Sequence, residues 1–568
     1  MTTNRLGPAE RDRNWAALAT NTFDVLVIGG GVTGAGAALD AATRGLSVAL
    51  VEARDLASGT SSRSSKLFHG GLRYLEQMNF GLVREALRER ELMLETIAPH
   101  LVKPVSFLYP LKHRGWERPY VGAGLMLYDR MAGRRTVPRH RHLTRTGARA
   151  LAPALRSDAL VGGVLYHDAQ ADDARHTLTV ARTAAHYGAL VRTSTQVTTL
   201  IKDAGRVVGA RVLDVENGAE VDVRARAVIN CTGVWTDDIQ RLTGSRGRFN
   251  VRASKGIHLV VPRDRINCET GLILRTTTSV LFVIPWHRHW LIGTTDTDWK
   301  LDKVHPAASS SDIDYLLGQL NEVLTTPLSR EDVTGVYAGL RPLLAGDSES
   351  TSQLSREHAV ARPLPGMVSI AGGKYTTYRV MAADAVDAIA EDLGVQLPPS
   401  VTEHVPLLGA EGYQALVNQV GRLAQEYGVP PWRMRHLLDR YGSLVEEVLE
   451  PAANNPDLLA PVPLAEDHLA AELLYGATHE GALHIDDLLT RRTRTSIETP
   501  DRGVRSAEHV ASLVAAVLGW DEHTAESEVE AYTARVAAEL ASQDQRDDKA
   551  ADAARLVAAD ARALATRR

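Results

Sequence analysis

Phe23 to Ile28 is a short apolar run rich in β-branched residues, followed by the turn Gly29-Gly30-Gly31-Val32-Thr33-Gly34. Ala35 to Arg44 then reads as a helix, and after Gly45 a second strand-like run spans Ser47 to Glu52. Strand, tight turn, helix and strand in that order predict a parallel α/β unit with a nucleotide at its edge. Leu82 to Ile97 sets Leu82, Ala86, Leu87, Met93 or Leu94, and Ile97 among charges, the spacing of an amphipathic packing helix. Leu190 to Leu200, Val207 to Val215 and Val221 to Asn230 read as strands, with Asn217-Gly218 as a turn between the last two. Two further strand pairs, Ile257 to Val261 with Leu272 to Leu274 and Val280 to Ile284 with Trp290 to Thr294, predict a mostly antiparallel sheet. Thr376 to Leu393 returns to helical spacing through Met381, Val386, Ile389 and Leu393. From Gly412 to about Leu540 almost everything reads as helix, broken at Pro430-Pro431 and around Asn454-Asn455-Pro456.

The fold class expected is α/β plus α: a Rossmann-like dinucleotide-binding domain assembled from separated segments, an antiparallel-sheet substrate domain, and a helical C-terminal domain. The expected boundaries are an N-terminal arm at 1–22 and the dinucleotide domain at 23–100, 186–245 and 346–397. A mixed segment occupies 101–185, the substrate domain 246–345 and the helical domain 401–540. The tail 541–568 is dominated by Ala, Asp and Arg and reads as frayed helix or disorder, with no function assigned.

Composition narrows the partners. At 568 residues the chain exceeds what one hydrophobic core usually serves. A formal net charge of -5, with 44% hydrophobic and 23% charged residues, gives no reason to expect a nucleic-acid partner. Cys231 and Cys268 form no C-x-x-C pair, so neither a disulfide framework nor a zinc or iron-sulfur site is supported, and no metal is expected. Met1 to Thr22 lacks the apolar run of a signal peptide, and Val510 to Trp520 is far shorter than the roughly 20 residues of a membrane span. The expected location is cytoplasmic, with any membrane contact peripheral and on the inner face; a homo-oligomer is left open.

The glycine turn is the first motif with chemistry. Gly29 makes the turn, Gly31 lets backbone approach a pyrophosphate, Gly34 lets helix and strand pack, and Glu52 suits an unphosphorylated ribose. This unit does not separate NAD from FAD. No second such motif follows a strand, so one dinucleotide must perform the redox step. Ala227 to Gly233 resembles the second cofactor-contacting strand of flavin oxidoreductases of the glutathione-reductase type, with Thr232 and Gly233 at its end. Gly372-Gly373-Lys374-Tyr375-Thr376-Thr377 opens a predicted helix, placing backbone donors and a cation where a reduced flavin carries negative charge. The segment Gly59 to Glu76 concentrates hydroxyls, Lys66, His69, adjacent glycines, Arg73 and Tyr74, more polar function than a structural loop needs.

The runs Ser64-Ser65-Lys66-Leu67-Phe68-His69-Gly70-Gly71-Leu72-Arg73-Tyr74-Leu75, Ala338-Gly339-Leu340-Arg341-Pro342-Leu343 and Gly372 to Arg379, taken with the glycine turn, closely resemble FAD-dependent glycerol-3-phosphate dehydrogenases. Leu488 to Arg494 also looks like that family. The resemblance implies an FAD-binding domain and oxidation of sn-glycerol 3-phosphate to dihydroxyacetone phosphate, with electrons passed to a respiratory quinone at the membrane surface. It implies cofactor contacts from Gly29, Gly31, Gly34, Glu52, Thr60, Ser61, Ser65, Lys66, His69, Gly70, Gly71, Val197, Thr232, Gly233, Gly373, Lys374 and Thr376.

A phosphomonoester near neutral pH is close to a dianion and calls for fixed cations, for which arginine forks are suited. Arg341 and Arg356 look like phosphate-side residues, with Arg73, Tyr74 and Lys374 closer to the reacting end. His258 looks like the proton acceptor, with Lys374 as an alternative stabiliser of alkoxide or reduced flavin. Asp296 either orients a catalytic group or binds nothing. Lys112 to Arg145, with Trp116, Tyr120 and Tyr128, is either a lipid-facing basic stretch or a solvated positive face. The rival readings are a glycerol-3-phosphate oxidase using O2, another amine or amino-acid oxidase of the same fold, and a flavin-binding regulator with a dead site.

Overall fold

The computed structural model describes residues 4–71, 73–76, 78–133, 136–244, 250–276, 280–345 and 357–562. The first apolar run forms the strand Thr22–Ile28, and every residue from Val25 onward in it is buried. Such a strand needs parallel neighbours on both edges and apolar cover on both faces. Val48–Val51 pairs with it on one side and Glu220–Asn230 on the other, both parallel. The eight-stranded sheet continues through Met367–Gly372 and His358–Leu364 at one end and Leu190–Arg192 at the other. The helices Val32–Thr43, Asp173–His186 and Tyr378–Ala388 pack into one core against it.

The second sheet has ten strands and is mostly antiparallel. Its spine is the long strand Val251–Pro262, paired along its length with Gly335–Leu344. The expected pairing of Ile257 to Val261 with Leu272 to Leu274 does not occur. Gly271–Arg275 pairs instead with Val280–Trp286 and, in parallel, with Lys103–Leu111, while His289–Gly293 lies beside Val251–Pro262. The reason is local: the tight turn at His287 and Arg288 forces a hairpin, which inserts two strands between the runs expected to touch. The strands Leu67–Phe68, Lys103–Leu111, Arg141–Thr144 and Gly162–Gln170 also join this sheet, so it is built from sequence far outside 246–345.

Other local differences have physical causes. The run Leu190 to Leu200 is two strands, because Ser194 takes a left-handed conformation (φ 48°) between Leu190–Arg192 and Thr195–Asp203. The predicted helix from Leu82 is Phe80–Leu92, capped by the Asn79 side chain and continued by a wider turn Met93–Ile97. The C-terminal region is helical around two apolar cores but includes a small hairpin, Pro461–Val462 with Ala465–Leu469. The described part of the tail includes a helix at Asp548–Arg555 rather than a frayed end.

Candidate functional site

The parallel sheet and the antiparallel sheet face each other across a cavity of about 1010 Å³. The turn after the first strand supplies one end. Gly29 holds φ 108°, and a Cβ on Gly34 would lie 1.9 Å from the Gly29 carbonyl oxygen, so strand and helix approach only because both lack side chains. Gly29, Gly31, Val32 and Thr33 line the cavity at the start of the helix Val32–Thr43, whose first-turn N–H groups point outward without intrahelical acceptors. Ser61 Oγ accepts from Val32 N at 2.9 Å. Glu52 ends the neighbouring strand, where its carboxylate accepts from Gly30 N at 2.6 Å and from Arg54 N at 2.9 Å. Burial raises its pKa, and those two bonds pull it back. Val197, on an adjacent strand, closes this end.

The opposite wall comes from the strand pair Val251–Pro262 and Gly335–Leu344, in which Ser254 faces Arg341 and His258 faces Tyr337. Period-two alternation puts Ser254, Gly256 and His258 on one face. Gly256 decides what fits there: a Cβ on it would sit 2.5 Å from Arg341 Nη2 and 2.4 Å from Thr294 Oγ1. Arg341 lies across that gap, donating to Thr294 Oγ1 at 3.0 Å and to the Thr295 carbonyl at 3.2 Å. Asp296 accepts from the Ser254 hydroxyl and stands 3.7 Å from the Arg341 guanidinium. His258 stacks on Tyr337 (centroids 4.8 Å, planes 9° apart), with Nε2 2.9 Å from Ser65 Oγ and Nδ1 shut into the wall. Burial, then the charges of Arg341 and Lys66, hold His258 well below the ordinary histidine range, which keeps the ring neutral at pH 7.

The third wall is the loop Gly372 to Thr376, which feeds through a short turn into the helix Tyr378–Ala388. Lys374 Nζ lies 3.6 Å above the Tyr74 ring, and Thr376 Oγ1 accepts from His69 N at 3.2 Å. Thr232 and Gly233, at the end of Glu220–Asn230, line the same cavity, with Thr232 Oγ1 donating to Asn230 Oδ1. Thr60 also lines it and donates to the Leu340 carbonyl at 2.6 Å.

The fold thus brings together most residues expected of a site: Gly29, Gly31, Glu52, Thr60, Ser61, Ser65, His69, Tyr74, Val197, Thr232, Gly233, His258, Arg341, Gly373, Lys374 and Thr376 all line the cavity. Gly34, Lys66, Gly70 and Gly71 do not line it. Lys66 is fully buried, its ammonium held by Asp173 at 2.6 Å and the Ser62 carbonyl at 3.2 Å, so its charge is spent behind the loop. Gly70 N donates to Tyr128 Oη at 2.8 Å, and that tyrosine is buried, unlike the exposed Trp116 and Tyr120 on the same stretch. Arg356 and the Arg73 side chain lie outside the described residues.

Sequence reasoning passed over Arg63, Tyr337, Asp560 and Arg562. Arg63 sat inside the polar segment already singled out. Tyr337 needed the cross-strand register, and the two tail residues have no local signal at all. Arg63 lines the cavity, and burial with Arg491, Arg535 and Arg54 around it lowers its pKa to about 9. A crowded, desolvated guanidinium favours an anionic group beside it.

The motif Leu488 to Arg494 acts from behind. Arg491 and Arg492 both hold the buried Asp55, three residues after Glu52 on the loop that leads into the Ser-rich segment. Arg494 pairs with Asp172 at 2.6 Å and with Asp173, which also takes Lys66, Ser64 N and Ser64 Oγ. The helical domain therefore clamps the loop that carries Ser61, Ser65 and His69.

A glycine turn on a parallel sheet, opening on a cavity whose far wall is a second sheet, defines a dinucleotide oxidoreductase. The model of the FAD dependent oxidoreductase family matches residues 24–379, and that of the C-terminal domain of alpha-glycerophosphate oxidase matches 400–525. Glycerol-3-phosphate dehydrogenase 2 of Mycobacterium tuberculosis is 62% identical over 98% of this chain and 95% of its own length. The mitochondrial glycerol-3-phosphate dehydrogenase of Homo sapiens is 36% identical over 93% of this chain and 75% of its own. The crystal structure of glycerol-3-phosphate dehydrogenase from Bacillus halodurans complexed with FAD aligns with a TM-score of 0.78 at 30% identity, covering 95% of this chain and 98% of that one. The chain belongs to the FAD-dependent glycerol-3-phosphate dehydrogenase family.

The residues present fit FAD. The two glycines without Cβ atoms form a cradle at the helix start, Glu52 offers that cavity a carboxylate acceptor of the kind a ribose diol needs, and Arg63 supplies a desolvated cation.

Proposed function

We propose that this chain oxidises sn-glycerol 3-phosphate to dihydroxyacetone phosphate in glycerol and glycerol-3-phosphate catabolism, and passes the electrons to a respiratory quinone. The observation that carries the reading is that a neutral buried His258 and the fork of Arg341 stand on one strand pair, in the cavity that also contains the dinucleotide turn. Bound FAD supplies the two-electron acceptor for the hydride of the substrate's C2. His258 takes the hydroxyl proton at Nε2, the ring nitrogen on the cavity side, while Ser65 Oγ and the Tyr337 face hold the ring in place. Arg341, set by Asp296, Thr294 and Thr295, receives the phosphate; Lys374 and Tyr74 steady the reacting end, with Arg73 and Arg356 as further cations. Gly29, Gly31, Glu52, Thr60, Ser61, Val197, Thr232 and Gly233 would hold the cofactor, and Lys66 positions the loop rather than touching it.

The test is anaerobic. Glycerol 3-phosphate is expected to bleach the flavin absorbance, and a quinone analogue to restore it faster than air does. Absence of bleaching excludes the substrate. Faster recovery in air favours the oxidase reading, to which the match of residues 400–525 lends weight.

Two consequences are measurable. Arg341→Met is expected to lower kcat/KM by about thirtyfold or more, since losing a desolvated charge-assisted contact costs about 2 kcal/mol or more. Gly256→Ala is expected to raise KM by about tenfold with the flavin retained, because its Cβ displaces the guanidinium by more than the tolerance of a positioned group. An unchanged KM in Gly256→Ala excludes that steric role.

A quinone acceptor requires access to a membrane surface, and no helix among the described residues is long and apolar enough to cross one. The helix Glu117–Met131 supports peripheral contact: Trp116, Tyr120, Met126 and Leu127 are exposed along it, with Arg118 and Arg130 on the same element. Trp116→Ala with Tyr120→Ala is expected to reduce co-sedimentation with anionic vesicles severalfold. Unchanged sedimentation would remove this helix from the contact.

A further inference from the structure

The last described residues of the chain do something a solvated tail does not: they bury charge. After the helical domain the chain crosses to the antiparallel sheet. There Ser310 N donates to the Gln545 carbonyl at 2.7 Å, Ser311 Oγ donates to the Arg546 carbonyl at 2.6 Å, and the buried Lys255 ammonium is shared between Asp312 and Asp548. The helix Asp548–Arg555 is thereby fixed to the substrate side, and the segment beyond it turns back over the dinucleotide cavity. Asp560 and Arg562 both line that cavity, next to Glu52 and Arg54.

Each ties the dinucleotide side of the cavity to a different second body. Asp560 pairs with the Arg54 guanidinium and lies 2.9 Å from His305 Nε2. Arg562, only 4% exposed, donates through Nε to Ser194 Oγ at 2.9 Å and through its Nη atoms to the buried Asp487 of the helical domain at 2.9 to 3.2 Å. Ser194 is the kinked residue between two strands of the parallel sheet, and its N–H donates to the Arg54 carbonyl at 2.7 Å. The tail therefore grips both sides of the loop that starts at Glu52. Desolvating a guanidinium this close to a chain end is costly unless its partners are arranged to receive it. One buried and one half-buried anchor, with both residues lining the cavity from one short segment, amount to a built closure.

We infer that the segment Asp560–Arg562 is a latch that closes the Glu52–Arg54 end of the cavity and slows the release of FAD. This rests on FAD being the cofactor of the chain, and it assigns a role to sequence outside both matched family models, which end at residues 379 and 525. The latch makes no contact with His258 or Arg341, so its effect falls on cofactor retention.

The experiment uses purified holoenzyme and follows flavin fluorescence as FAD is released on dilution. One variant ends at Leu556; a second carries Asp560→Asn with Arg562→Gln in the full chain. Release is expected to be about tenfold faster or more in both, because most affinity changes at one site appear in the dissociation rate. At limiting added FAD the unfolding midpoint of each variant is also expected to depend less steeply on the FAD concentration than that of the parent, because a weaker site is less saturated. Release within about twofold of the parent overturns the latch, including where the variant melts lower, since that pattern marks a purely structural staple. If the shortened chain fails to fold, the full-length double variant decides by the same rates. A parent enzyme without a flavin spectrum would instead refute the cofactor itself, before any variant is compared.

Discussion

His258→Ala is expected to lower kcat by about 10²- to 10⁴-fold, the range associated with a positioned general base, while the visible spectrum of the bound flavin stays as in the parent. The ring's partners are Ser65 and Tyr337, outside the glycine cradle, so its loss leaves that cradle in place. The pH dependence follows from the sign of its shift. Burial and the nearby charges of Arg341 and Lys66 disfavour the imidazolium, so the base form is present at neutral pH and is lost only as pH falls through the depressed value. The acidic limb of kcat/KM is therefore expected below the ordinary histidine pKa of about 6.5. Arg341→Met removes one of the two charges that lower it, and the limb is expected to move upward in that variant. A His258→Ala enzyme with the parent's rate and pH profile would remove the residue from the chemistry.

Asp55→Ala is expected to destabilise the folded chain by about 3–5 kcal/mol, the cost of leaving buried charge without its partner. Asp55 is fully buried and accepts from Arg491 Nε at 2.5 Å and from Arg492 Nη1 and Nη2 at 2.7 and 2.8 Å. Without it two adjacent buried guanidiniums of the helical domain lose their carboxylate partner on the dinucleotide loop. Arg491 retains Asp486 and Asp487, whereas Arg492 keeps only the Glu480 carbonyl at 2.7 Å and a distant carboxylate. The loss is read as a shift of the denaturation midpoint at unchanged slope. A midpoint shift worth less than about 1 kcal/mol would show that the Asp55 pairs do not hold this junction together.

The parts of the site legible in the sequence are those in which one short segment contains its own geometry. The turn Gly29 to Gly34 needs glycine for a left-handed φ and for a helix pressed against a strand, and both demands act within six positions. The polar density of Gly59 to Glu76 drew attention to Ser61, Ser65 and His69 for a similar reason. The same density misled at Lys66: the side chain is cationic and sits in the right segment, but Asp173, more than a hundred positions away, turns it inward. The motif Leu488 to Arg494 was visible as a pattern, while its task of holding Asp55, Asp172 and Asp173 was not.

By itself the sequence determined the α/β unit, the dinucleotide turn, the helical C-terminal region and the family to which the chain belongs, since periodicity and contiguous motifs are set by neighbours along the chain. Only the tertiary structure decided that Arg341 and His258 share a wall, that Tyr337 backs the histidine, that Tyr128 is buried, and that the Ala-rich tail brings a half-buried Asp560 and a buried Arg562 to the cofactor cavity. The physical reason is distance along the chain. Cross-strand register, domain docking and the pairing of buried charges depend on which remote segments meet, and no local pattern of polar and apolar residues records that meeting.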